Sequence, residues 1–157
     1  MSHTKKPTIE KIILALLGLL ALAALVRTMF LGLEIDEEYA LSLGFRLVRG
    51  DRLFYSMWEP HQLAALLIGL FTAVAGTTTG VLLFVRGAVL AVKLALAVWF
   101  YRSLRVALGG RCAYLLALAV LAFTPKWFLG PDYVSQQFHF TLAAFLFLYG
   151  YYAPGPR

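Results

Sequence analysis

The chain has 157 residues, of which 61% are hydrophobic and only 14% charged. An ordinary soluble domain carries about 25% charged and about 45–50% apolar residues. Too few polar side chains are present to coat a water-facing surface. That excludes a soluble globular domain, a disordered chain and a nucleic-acid-binding module, and refers the net charge of +6 to membrane topology. At about 20 apolar residues per crossing, the length admits about four spans. The single cysteine, Cys112, can form no internal disulfide.

Residues 12–33 make the first long apolar run, interrupted only by Arg27 and preceded by Lys5, Lys6 and Lys11. Ala21-Leu22-Ala23 offers small residues at a plausible signal-peptide cleavage spacing. The run outlasts the usual signal core of about 7–15 residues, which favours a retained span.

Asp36-Glu37-Glu38 opens a stretch over residues 36–49 with helical periodicity. Glu38, Ser42, Arg46 and Arg49 share one face, while Leu41, Phe45 and Val48 mark a stripe suited to resting on the bilayer surface. Helix capping explains one or two of the three acids. Gly50-Asp51 makes a turn, and Phe54, Tyr55, Met57 and Trp58 form an aromatic, interfacial group. Glu59-Pro60-His61 leads into a short apolar segment, expected as an interfacial helix over residues 61–76. Glu59 and His61 are candidate metal or phosphate neighbours, against an interfacial reading of the histidine alone.

Residues 81–101 form a second span that carries Arg86 and Lys93, seven positions apart and so nearly on one side. Cations at such depth are functional candidates by default. Arg86 and Arg27 lie near enough to a span end for snorkelling to phosphates. Residues 112–130, bent or ended near Pro125, are the third run, and residues 133–152, with His139 near the start, are the fourth. Lys126 and His139 read as interfacial groups.

Charge placement decides whether the short segment at residues 62–75 spans. If it lies at the interface, Lys5, Lys6, Lys11, Arg102, Arg105, Arg111 and Arg157 all face one side, as the positive-inside rule prefers. The expected fold class is then all-α: an integral membrane helical bundle of about four transmembrane helices, with juxtamembrane helices in a first outer loop spanning residues 34–80. Both termini are cytoplasmic, and the location is the cell (inner) membrane. Glu34, Asp36, Glu37, Glu38, Asp51, Glu59 and Asp132 gather on the outer face.

The ordered set of one N-terminal span, Asp36-Glu37-Glu38-Tyr39-Ala40, an Arg-Gly turn with Tyr55, Glu59-Pro60-His61, Arg86 and Pro131-Asp132 resembles a known pattern. It is similar to the N-terminal part of the multi-spanning GT-C class glycosyltransferases, nearest the protein O-mannosyltransferase and lipid A aminoarabinose transferase group. The resemblance covers about residues 12–152. His61-Gln62 stands where that group has Lys-Pro. The resemblance implies Asp36 as catalytic base with Glu37 beside it, and Asp132 as a second-loop acid holding acceptor or metal. It further implies donor-phosphate or metal contacts at Glu59 and His61, and a second-span arginine at Arg86.

Sugar transfer from a polyprenyl-phosphate donor to a lipid, protein or glycan hydroxyl is therefore the leading expectation. Asp36, Glu37 and Asp132 are its catalytic candidates, and Arg86, Lys93, His61 and Arg27 its substrate or phosphate contacts. A divalent metal is the candidate cofactor. Family enzymes are several times longer, which points to the front portion of a larger design or to a subunit with a membrane partner. Two other readings stay open: a non-catalytic subunit or lipid-binding module, and a small transporter using Lys93 and His139.

Overall fold

The computed structural model describes residues 7–57, 61–76, 79–126 and 128–153, with side chains from residue 9 onward. Glu59, with its neighbours Trp58 and Pro60, lies outside the described residues. Among those described, the chain is all-helical: α1 (Pro7–Thr28), α2 (Ile35–Val48), α3 (Ala64–Ala75), α4 (Val81–Leu108), α5 (Gly110–Ala122) and α6 (Tyr133–Tyr152).

Specific contacts fix how the helices run. Near the start of α1, Glu10 pairs with Arg111 of α5 at 2.5 Å, and Tyr114 donates to the Leu14 carbonyl at 2.9 Å. Midway, Leu25, Ala97 and Leu121 form a buried cluster from α1, α4 and α5. Beyond the end of α1, Arg86 of α4 reaches the carbonyls of Met29, Leu31 and Gly32. Helices α1 and α5 are thus parallel and α4 runs against both. The turn between α4 and α5 is made by Gly109, whose φ of +77° suits a residue without a Cβ. Phe138, near the start of α6, packs on Phe123, just after α5, with ring centroids 4.8 Å apart.

Helices α2 and α3 cover the end where α4 and α6 begin. They pack backbone to backbone: a Cβ added at Gly44 would sit 2.7 Å from Ile68 Cγ2 and 3.1 Å from the Ile68 carbonyl carbon. One added at Gly69 would sit 2.9 Å from Leu47 Cδ2. Small residues at Ala40 and Gly44 let α3 approach, so the inner face of α2 joins a core of Leu41, Ile68, Val85, Val89 and Leu129. Leu41 therefore packs inside the chain and does not rest on a bilayer. Val48, from the same expected stripe, stays exposed. The polar face carrying Glu38, Ser42, Arg46 and Arg49 is exposed as its spacing requires.

Two boundaries depart from the periodicity. Helix α1 ends at Thr28, and α5 ends at Ala122, well short of residue 130. Pro125 lacks an N–H and disfavours helical geometry in the residue before it, which stops α5. The following segment is irregular yet folds inward, burying Phe128, Leu129, Pro131 and Asp132.

Among the described residues, Ile9–Thr28 and Val81–Leu108 are the two helices long and apolar enough to cross a membrane, with mean hydropathy 2.4 and 2.3. At 1.5 Å per residue, α3 is about 18 Å long, well under a hydrocarbon core of about 30 Å.

The α2–α3 packing predicts a contrast between glycines. Gly44→Val should lower the unfolding midpoint of the detergent-solubilised chain, with an overpacking cost of about 1–3 kcal/mol. Gly150→Ala, which meets open space in α6, should leave the midpoint unchanged or raise it. Equal midpoints for the two variants would refute the close approach.

Candidate functional site

Helix α2 starts where it does because Glu34 accepts from the Asp36 N–H at 2.8 Å, leaving three acids in the first turn to complement the helix dipole. Successive residues on a helix point about 100° apart. The three neighbours therefore diverge: Glu37 is fully buried, Asp36 turns to the segment after α5, and Glu38 is exposed.

Glu37 meets Arg86 of α4 in a buried two-pronged pair. Arg86 Nε donates to Glu37 Oε1 at 2.7 Å and Nη2 donates to Oε2 at 2.5 Å. Nη1 donates to the carbonyls of Met29 (2.6 Å) and Leu31 (2.7 Å), and Nη2 also donates to Gly32 (3.0 Å). A guanidinium has five N–H donors, and all five are engaged inside the chain. Arg86, expected to contact phosphate, and Glu37, expected beside the base, tie the α1–α2 connection to α4.

Asp132 is likewise a cap. Its Oδ1 accepts from the N–H groups of Val134 and Ser135, both at 3.0 Å, and the Ser135 hydroxyl donates to Oδ2 at 2.6 Å. With no exposed surface, it starts α6 and contributes charge to its surroundings.

Asp36 keeps its side chain 34% exposed and is paired with Lys126, 21% exposed, in the segment after α5. Lys126 lies 3.8 Å from Glu34 and 5.9 Å from the centre of the Tyr133 ring. The carboxylates of Asp36 and Glu34 beside it favour the charged form of the Lys126 ammonium. An accessible carboxylate beside a cation can accept a proton and hold an anion in one place.

Tyr133 links this pair to His61, whose ring stacks on it at 4.0 Å between centroids and 14° between planes. A cavity of about 230 Å³ opens there, lined by His61, Tyr133, Gln136 and Phe140 among others. Deeper, Lys93 of α4 is buried and donates to the carbonyl of Phe123, and His139 of α6 is buried beside it. Arg27 is exposed on the last turn of α1. The expected site residues thus divide. Asp36, Glu37, Arg86, Asp132 and His61 lie at one end of the bundle, while Lys93 and His139 lie deeper. Glu59, the other expected metal neighbour, falls outside the described residues. Among the described residues no group of three or more His, Cys, Asp or Glu side chains gathers at one point, and no chemistry below depends on a metal ion.

Lys126 is the group that sequence reasoning set aside. Its signal was available: it is the one Lys or Arg within the third apolar run, residues 112–130. Tyr133 and Gln136 gave no comparable sign.

Removing one member of the buried pair strands the other. Arg86→Leu and Glu37→Gln should each destabilise the chain by about 3–5 kcal/mol, read as lost yield and a lowered unfolding midpoint in detergent. The double variant Glu37→Leu with Arg86→Met, which leaves no charge behind, should recover part of that loss. A double variant no better than the singles would show that the pair is not the coupled unit described.

Comparison of the chain with protein-family models, with curated proteins and with solved structures gives no match.

Proposed function

We propose that the chain is a multi-pass membrane protein that transfers a sugar from a polyprenyl-phosphate donor to an acceptor hydroxyl at the outer membrane face. The observation that carries this reading is the Asp36–Lys126 pair, accessible at the end of the bundle and held there by the separate, buried Glu37–Arg86 pair.

The length of α1 and α4 and the placement of the basic residues support the following membrane arrangement. Helices α1, α4 and α6, together with α5 and the inward-folded segment after it, cross the bilayer. The short α2 and α3 lie over the outer end. The outward apolar side chains of α1, among them Ile12, Leu16, Leu19 and Leu20, face lipid in this arrangement. Lys11, Arg102, Arg105 and Arg111 mark the cytoplasmic end.

In the reaction the acceptor oxygen attacks the anomeric carbon as the bond from that carbon to the phosphate oxygen breaks. Asp36 takes the proton from the attacking hydroxyl, a task within the reach of a positioned carboxylate. The departing phosphate keeps the bonding electrons, and its growing charge is met by Lys126, which gains most where charge develops most. Lys126 fills the role that a fully engaged Arg86 cannot. The resemblance to the GT-C class glycosyltransferases supports the position of the base. The geometry supports the pairing of base and cation.

Asp36→Asn should lower sugar transfer in vesicles containing the full chain by about 10²–10⁴-fold while leaving membrane insertion intact. Lys126→Met should also depress transfer, with Lys126→Arg retaining part of it. Unchanged turnover in Asp36→Asn would overturn the reading.

Topology is checked separately. In a Cys112→Ser background, cysteines placed at Thr79 and at Leu108 should react with a membrane-impermeant maleimide from opposite sides. Labelling of both from one side would mean that α4 does not cross.

A further inference from the structure

Helix α6 places two buried polar side chains on one face, Gln136 and His139, three positions apart. Both carry an atom without a hydrogen-bond partner among the described residues: Gln136 Oε1 and His139 Nε2. The Gln136 amide cannot resolve this by turning over. Its Nε2 already donates to the Pro131 carbonyl at 2.9 Å, and a carbonyl only accepts. What remains at Gln136 is an acceptor, buried, with no donor supplied. Such a group is costly unless something brings it a hydrogen.

Gln136 also lines the cavity of about 230 Å³ beside the stacked rings of His61 and Tyr133. One water occupies about 30 Å³ in the liquid, so the space exceeds what a single water needs. The rest of the lining is mainly apolar, with Leu63 and Phe140 exposed at 63% and 57%.

These features select a ligand class. An anion would meet the oxygen of Gln136 unfavourably, and the cations nearby are engaged, Lys93 with the Phe123 carbonyl and Lys126 with Asp36. An ammonium would meet those same lysines unfavourably. A neutral hydroxyl can donate to Gln136 Oε1. An apolar body suits Leu63 and Phe140. We infer that the cavity between α3 and α6 binds the headgroup of a neutral lipid alcohol, with a lipid hydroxyl donating to Gln136.

The inference does not depend on sugar transfer, and its test uses no sugar. The full chain is placed in lipid nanodiscs with a diacylglycerol bearing a photoreactive group in one acyl chain. Phosphatidic acid with the same photoreactive chain serves as the anionic counterpart. The diacylglycerol should label peptides containing residues 61–64 and 133–140, and unlabelled diacylglycerol should suppress that labelling. Gln136→Leu should weaken it by about 3- to 10-fold, the worth of one hydrogen bond. Leu63→Trp, a change at an exposed position that fills the cavity, should abolish it even if the buried Gln136 variant folds poorly. Asp36→Asn should leave it unchanged, which separates this site from the catalytic proposal. Equal labelling by phosphatidic acid, no suppression by unlabelled diacylglycerol, or indifference to Leu63→Trp would each overturn the inference.

Discussion

The buried bond between Arg86 and Glu37 is the constraint on which the capped end of the molecule depends. A guanidinium taken out of water is tolerated only when its donors are satisfied. Here the sixth residue of α4 gathers a carboxylate from α2 and three carbonyls from the chain just after α1. Those carbonyls belong to the stretch where α1 has ended, so the arginine completes backbone bonding that the helix no longer supplies. One side chain thereby ties the chain after α1 and the first turn of α2 to the start of α4. Asp36 is the residue before Glu37, so its position is inherited from the same bond.

The segment after α5 raises the same problem in another place. Irregular backbone buried inside a helical bundle must find partners within the protein. Lys93 donates to Phe123 at the end of α5, Gln136 donates to Pro131, and Asp132 caps α6. Each satisfies a group that Pro125 and the end of a helix had left open. Lys93, which sequence alone presents as a candidate for phosphate, is thus spent on backbone. The benefit of the interruption is geometric: it carries Lys126 to Asp36, which a continuous helix through residue 130 would not do.

Much of the fold was legible because helical periodicity and apolar run length report burial directly. The runs at residues 81–101 and 133–152 became α4 and α6, and the short run near residues 62–75 became α3. The acids of α2 were legible as a helix start. Their division of labour was not, since which of three neighbours faces inward depends on where α4 places its arginine. The burial of Leu41 was hidden for a similar reason. An apolar stripe shows that a helix has a face to cover, and only the Gly44–Gly69 approach shows that α3 covers it. Lys126 was visible as a charge but not as a partner, because its contact with Asp36 joins positions 90 residues apart.

The acids gathered at this end can be sorted by what each still has to offer. Glu37 is consumed by Arg86, and Asp132 is consumed by the first turn of α6. Asp51 is paired with Arg46 at 2.6 Å, and Glu34 caps α2. Glu38 is exposed on the polar face of α2, away from the Lys126 pairing. Asp36 with Lys126, like Asp51 with Arg46, combines partial exposure with a close cation that is itself partly exposed, and the Asp36 pair is the one that joins α2 to the segment after α5. A group with those properties can exchange its partner for a substrate without uncovering a buried charge. The buried pair cannot make that exchange and the partly exposed pair can, so burial rather than residue type separates two ion pairs on consecutive residues of one helix.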